Sequence, residues 1–164
     1  MKADKPVPLT KIISGGQTGV DRAALEAAIA VGLKIGGAAP RGLWAEDGTI
    51  PASYNLTPVE EADLQTSIQR RTQKNVSDAD ATLILRVRAD SPGTSYTIAF
   101  AQKLNKPLLV VDLAQPPDYA FVAAWLREQR VATLNIAGPR ESTSPGIFQR
   151  ARAYLLGLFQ KLGK

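Results

Sequence analysis

Apolar residues in this chain fall into short blocks separated by glycine, proline and polar turns. Ile12 to Ser14 forms the first block, a buried-strand pattern. Val20 to Val31 follows with helical spacing, placing Leu25, Ala28, Ile29 and Val31 for one face, and Gly32 stops it. Leu33 to Gly37 predicts a second short strand. A long irregular segment, Ala38 to Thr57, then carries Pro40, Gly42, Gly48 and Pro51. Structureless stretches of that length inside a compact domain usually cover a site, so this one is expected to be a functional loop.

Asp63 to Ser77 is polar and compatible with a helix, and Ala81 to Val87 has the continuous apolar pattern of a strand buried on both faces. A turn at Arg88 to Ser95 leads into a helix from about Tyr96 to Leu104. Pro107 to Asp112 predicts a strand, Tyr119 to Gln129 a helix, Val131 to Ala137 a strand and Ile147 to Leu158 the last helix. Strand and helix thus alternate five times. The pattern predicts an α/β fold: a single-domain three-layer sandwich with a mainly parallel sheet between helices, spanning residues 11–164 after a polar tail at 1–10.

Right-handed crossovers bring every strand-to-helix turn to one edge of such a sheet. Four segments would meet there: Ser14 to Gly19, the loop around Arg41 to Gly48, Ser91 to Ser95, and Gly138 to Ser142. The first holds Gly15, Gly16, Gln17, Thr18 and Gly19 between a strand and a helix. Glycines at such a corner let backbone N–H groups converge on an anion at the positive end of the helix. The run is neither Gly-x-Gly-x-x-Gly nor a Walker loop, so an ordinary strand-to-helix turn stands beside phosphate binding as a reading. Gly93, Thr94, Ser95 and Thr97 offer a second set of donors, with Ser95 equally able to cap a helix. Arg22 and Arg41 are the candidate cations, each alternatively a salt-bridge partner of an acid such as Asp21 or Glu46. Glu46 and Asp47 could serve a ribose or a pterin edge, or simply make a turn. Arg140 and Glu141 are either a ligand pair or a surface ion pair.

Composition removes much chemistry. None of the 164 residues is cysteine or histidine, which excludes disulfides, thiolate nucleophiles, histidine triads and most zinc sites. A metal would need oxygen ligands or would arrive already bound to its own organic cofactor, and in the second case no protein-ligated metal is expected. The net charge of +5 suits a small anionic ligand. Basic residues are scattered, Arg70-Arg71 being the one adjacent pair, so a nucleic-acid partner is not favoured. No apolar run is long enough to span a bilayer and the start does not read as a signal peptide, so the expectation is a cytoplasmic protein without a membrane partner.

Taken together, Ile13 to Leu25, Pro40-Arg41-Gly42 with Ala45 to Gly48, Asn75-Val76 with Asp78 and Asp80, Gly93-Thr94 with Thr97, Lys106-Pro107 and Leu134 to Ser142 resemble the molybdenum cofactor carrier family. The likeness covers nearly the whole chain. It implies a Rossmann-like fold near the lysine-decarboxylase-like, cytokinin-activating phosphoribohydrolases, and storage or delivery of molybdenum cofactor, a phosphate-bearing pterin whose dithiolene holds the metal. Relatives in that superfamily are commonly homo-oligomers. The phosphoribohydrolases carry a catalytic glutamate in the second loop where this chain has Thr97, so the resemblance implies a carrier and assigns no catalytic residue. A nucleotide sensor or nucleotide-processing enzyme is the alternative, with Glu46, Asp47 or Glu141 available to substitute from another loop.

Overall fold

The computed structural model describes residues 5–88 and 91–164. Residues 1–4 of the expected polar tail, and Ala89 and Asp90 of the expected second turn, lie outside them. Five strands form one all-parallel sheet: β1 (Lys11–Ile13), β2 (Lys34–Gly36), β3 (Ala81–Arg86), β4 (Leu108–Asp112) and β5 (Thr133–Ala137). Their spatial order is β2-β1-β5-β3-β4. Each connection carries a helix: α1 (Val20–Ala30), α2 (Leu64–Asp78), α3 (Pro92–Lys103) and α4 (Tyr119–Glu128), with α5 (Ile147–Lys161) after β5. Helices α1, α5 and α4 pack on one another over one face, and α2 packs on α3 over the other.

Burial on both faces explains why the strands read as continuous apolar runs. In register, Ile12 lies between Ile35 and Leu134, and Leu83 between Leu109 and Ile136. Ile12, Leu83, Leu134 and Ile136 are fully buried and belong to the main core with Val20, Leu126, Leu155 and Phe159. The Ser14 hydroxyl donates to the Ile136 carbonyl at 2.7 Å, tying the end of β1 to β5.

Numbering the last strand as the first turns the spatial order into 3-2-1-4-5, the doubly wound order of dinucleotide-binding folds. The reversal point of that order lies between β5 and β3. Their following helices, α5 and α3, leave toward opposite faces, and a crevice opens between them at the carboxyl ends of the strands.

Two expected elements differ. Helix α3 begins at Pro92, four residues before the expected Tyr96. Proline at the first helical position has its backbone angle already set, and the Ser91 hydroxyl accepts from the Thr94 N–H at 3.3 Å as the cap. Gly93, Thr94 and Ser95 therefore sit inside the first turn of the helix. The expected irregular segment is also more ordered than proline and glycine suggest. Ala38–Ala39 pairs in parallel with Thr57–Pro58, Trp44–Ala45 pairs antiparallel with Gly48–Thr49, and 3₁₀ turns occupy Arg41–Leu43 and Ala52–Tyr54. Ala39, Ala45, Ile50 and Tyr54 bury themselves against Leu25 of α1 as a second small core. Asn75 clamps this segment to α2, its Oδ1 accepting from the Ala38 N–H at 2.7 Å and its Nδ2 donating to the Ala38 carbonyl at 3.0 Å.

Other residues that carry the family resemblance also hold the fold. The Asp80 carboxylate accepts from the N–H groups of Ala132 and Thr133 at 2.9 and 2.8 Å, fixing where β5 starts. Lys106 donates to the carbonyls of Ser77 and Ala79 at 2.7 and 2.6 Å, closing the C-terminal end of α2. Among the described residues no helix is long and apolar enough to cross a membrane.

Candidate functional site

The crevice at the reversal point is a cleft of about 470 Å³, within the size range of small-molecule sites. Three strand ends build it. Gln17 comes from the turn after β1 and Asp21 from the first turn of α1; Ser91, Gly93, Thr94, Tyr96 and Thr97 from the start of α3; Gly138, Arg140, Ser142 and Thr143 from the loop after β5. Its remaining wall is one face of α2: Gln65, Ile68, Gln69 and Thr72, with Arg71 beside them. The spacing of 65, 68, 69 and 72 is that of one helical stripe.

The turn after β1 is held together from within. The Gln17 N–H donates to Asp21 Oδ2 at 3.4 Å, and Gln17 Oε1 accepts from the N–H groups of Thr18 and Glu46, both at 3.0 Å. Gly15 sits beneath Arg71: a Cβ there would lie 1.8 Å from Nη1. Gly16 faces Leu56 and Ile50, and its carbonyl accepts from Arg22 Nη2 at 3.1 Å. Gly19 has φ +79°, and its hypothetical Cβ would stand 2.3 Å from the Pro139 carbonyl oxygen, so the loop after β5 crosses directly over it. Of the five residues of this turn, Gln17 lines the cleft, while the glycines and Thr18 bring the chain segments around it into contact.

Asp21 is 3% exposed and pairs with Arg71 Nη1 at 3.2 Å. Burial pushes its carboxyl above the usual range, opposed by the attraction of Arg71 and by the hydrogen bonds from Gln17 and Arg71. Two polar atoms at the cleft wall have no hydrogen-bond partner among the described residues: Gln17 Nε2 and Arg71 Nε, both buried.

The second set of candidates lies at the opposite wall. Thr94 and Thr97 are buried; the Thr97 hydroxyl donates to the Gly93 carbonyl at 3.0 Å, and the Thr94 hydroxyl lies 3.0 Å from that of Ser91. Ser95 is exposed, does not line the cleft, and donates its N–H to the Ser91 carbonyl at 3.0 Å. The start of α3 adds its partial positive charge.

The two candidate cations lie elsewhere. Arg22 grips Asp47 with both terminal nitrogens, Nη2 reaching Oδ1 at 3.0 Å. The hydrogen bond from Arg22 holds the Asp47 carboxyl below its usual range. Arg41 donates from Nη1 to the Ala62 carbonyl at 2.7 Å and lines a separate, more open hollow with Trp44 and Glu46. The cations at the cleft itself are Arg71 and Arg140.

Glu46 joins the long segment to the cleft mouth. Its carboxylate accepts from the Thr18 hydroxyl, from the Ser142 N–H at 3.2 Å and from the Ser142 hydroxyl at 2.5 Å, with Arg140 Nη1 at 3.9 Å. Burial alone would raise its carboxyl, but the bonds from Ser142 and Thr18 outweigh that and hold it below the usual 4.5. Arg140 also lies over the Trp44 ring, 5.6 Å from its centroid. Glu141 turns the other way and accepts from the N–H groups of Gly146 and Phe148 at the start of α5, at 2.6 and 2.9 Å. Among the described residues no three Asp, Glu, His or Cys side chains group to hold a metal ion.

A strand order that becomes doubly wound once the last unit is moved to the front is the signature of a rotated chain, and the family model that matches residues 12–159 is described as circularly permutated YpsA SLOG. The chain belongs to this family. It is also similar to a crystal structure from Syntrophus aciditrophicus named as a putative molybdenum carrier protein, with 40% identity over 95% of this chain and 97% of that one, and a TM-score of 0.86. A second solved structure, (E)-4-hydroxy-3-methyl-but-2-enyl diphosphate reductase, matches at 11% identity over 91% of this chain and 59% of its own, with a TM-score of 0.40. No curated protein is similar enough to match.

The permuted unit, β5 with its following loop, supplies one wall of the crevice. The turns after β1, β3 and β5 that sequence reasoning singled out all line the cleft; it named Asp21 only as a salt-bridge partner, and Arg71 and the α2 stripe not as candidates. The stripe lies within Asp63 to Ser77, which reads only as a polar, helix-compatible stretch, with nothing in its residue types to mark one face as a cleft wall. The Asp21–Arg71 pair spans 50 positions, and no local pattern signals it.

Proposed function

We propose that the chain binds a small molecule combining a planar ring system with a phosphate and holds it in the cleft at the reversal point of the sheet; molybdenum cofactor is the cargo that the family resemblance implies, and the relative is named as a molybdenum carrier. The observation that carries this reading is the cleft itself: about 470 Å³, with Arg71 and Arg140 against the single carboxylate of Asp21 among its described lining residues, and the start of α3 facing in. That balance favours a negatively charged guest. A ring would rest against Ile68, Tyr96 and the methylene parts of Gln65 and Gln69. The metal of such a cargo stays on its own dithiolene, consistent with a chain lacking cysteine and histidine.

Carriage is favoured over hydrolysis because Asp21, the one carboxylate among the cleft's described lining residues, is committed to Arg71, and Thr97, which stands where related hydrolases are glutamate, is committed to the Gly93 carbonyl. Nucleoside monophosphates share the division into ring and phosphate, so they belong in the test. Native mass spectrometry of the protein with molybdenum cofactor, guanosine monophosphate and adenosine monophosphate should show one retained pterin per chain, and Arg140→Ala should weaken retention about tenfold, as for loss of one charge-assisted contact. Failure to retain any of the three overturns the reading; release of free base from a nucleotide replaces carriage with hydrolysis.

A further inference from the structure

The Gln17 side chain is a donor fixed in advance. Its residue is 5% exposed. Two backbone N–H groups, from Thr18 and from Glu46 on a separate segment, both point at Oε1 at 3.0 Å. A flipped amide would set its NH₂ against two N–H donors, so the orientation is forced by the network. Nε2 lies on the other side of the amide; it is buried and has no hydrogen-bond partner among the described residues, and Gln17 is one of the residues that line the cleft. A buried amide left unpaired destabilises the fold unless something else supplies the acceptor. Nearby, Arg71 Nε is a second buried donor without a partner.

We propose that Gln17 is a specificity-determining residue of the cleft, its Nε2 donating to an oxygen acceptor of the bound molecule, either a phosphate oxygen or a ring carbonyl. This rests on the reading that the cleft holds a small anionic ring compound, and it adds which of its groups is read and by what. The device selects by donor and acceptor pattern: a guest presenting an N–H at this point would meet a donor facing a donor. It also couples recognition to the long segment, because Glu46 N–H is one of the two groups that set the amide. Loss of that contact frees the amide to turn and weakens discrimination before it weakens binding.

The test is a titration of isotopically labelled protein, following the Gln17 side-chain amide and the backbone amides of Gly93 and Thr94 by NMR, with three probes: inorganic phosphate, guanosine monophosphate, and guanine without phosphate. Gln17→Glu, which keeps an oxygen for Thr18 and Glu46 but replaces the donor by an acceptor, is titrated in parallel. A downfield shift of the Gln17 amide protons with phosphate and the nucleotide identifies a phosphate oxygen; the same shift with guanine identifies a ring carbonyl. Either supports the proposal, together with a loss of about 10- to 100-fold in affinity for Gln17→Glu. Backbone shifts at Gly93 and Thr94 with a stationary Gln17 amide overturn the proposal and leave the binding reading standing. No shift anywhere with any probe overturns both. Should Gln17→Glu fail to fold, the native amide decides alone.

Discussion

Two glycine- and hydroxyl-bearing turns face each other across one cleft, and they use the same residue types for opposite ends. The turn after β1, Ser14 to Gly19, is a closed joint: Asp21 and the Gln17 side chain take its amides, Arg71 lies on Gly15, and the Pro139 carbonyl sits on Gly19. The turn into α3 is open: a side chain added at Gly93 would meet nothing within 4 Å. Glycine in the first is demanded by neighbouring protein atoms, whereas in the second the space belongs to the cleft. A glycine-rich corner is therefore a statement about close approach, and only the surroundings say whether a ligand or the protein approaches.

The difference is largest at Gly19. Its φ of +79° combined with ψ of −128° is a conformation that L side chains rarely adopt, and a Cβ would strike backbone. Gly19→Ala should cost about 4 kcal/mol, read as a fall in the denaturant midpoint at unchanged slope. A stable Gly19→Ala protein would break the comparison by showing that the loop after β5 yields freely.

Arg71→Ala follows. It leaves Asp21 buried without its cation, which should cost about 3 kcal/mol, the lower end for a broken buried pair because the cleft admits water. The double variant with Asp21→Asn should recover most of that loss in the same denaturation series. If the double variant is no better than the single one, the pair is not what closes the joint.

The fold was legible in the chain because its information is local: each buried strand is a continuous apolar run, and each helix is flagged by its face or its stop. The lining of the candidate cleft was legible only where its signal too is local. Gln17, Gly93, Thr94 and Thr97 announce themselves beside strand ends. Arg22 and Arg41 did so equally, yet the first is engaged by Asp47 and the second faces a different hollow, because the partner of a long side chain is set by tertiary packing. The order within 38–58 was hidden for the same reason: Ala39, Ala45, Ile50 and Tyr54 are too dispersed to show periodicity, and they become a core only against Leu25.

Acid separates the two regions by sign. Asp21 in the closed joint has its carboxyl raised from 3.8, so its ionisation opposes folding, and its contribution is lost as pH rises from 3.8 through the raised value. Glu46 at the cleft mouth is lowered from 4.5, so it supports folding above 4.5 and that support fades as pH falls through the lowered value. Stability curves of Glu46→Gln and the parent should therefore converge below pH 4.5 and separate above it, with the parent the more stable. Asp21→Asn should differ from the parent in the opposite sense as pH rises. Parallel curves for Glu46→Gln would mean that its carboxylate does not hold the long segment to Ser142.

The smallest change in stability should fall at Gly93, and it sharpens the contrast most. Gly93 lies in the first turn of α3 with room around it, so Gly93→Ala should leave stability unchanged or raise it by up to about 1 kcal/mol, since alanine is the better helix former. Binding should respond the other way, because the new methyl stands where the guest approaches the helix start. A variant that melts higher and binds more weakly marks this turn as the ligand-facing one; a variant that binds as well as the parent would move the guest away from α3 and toward the Arg140 side of the cleft.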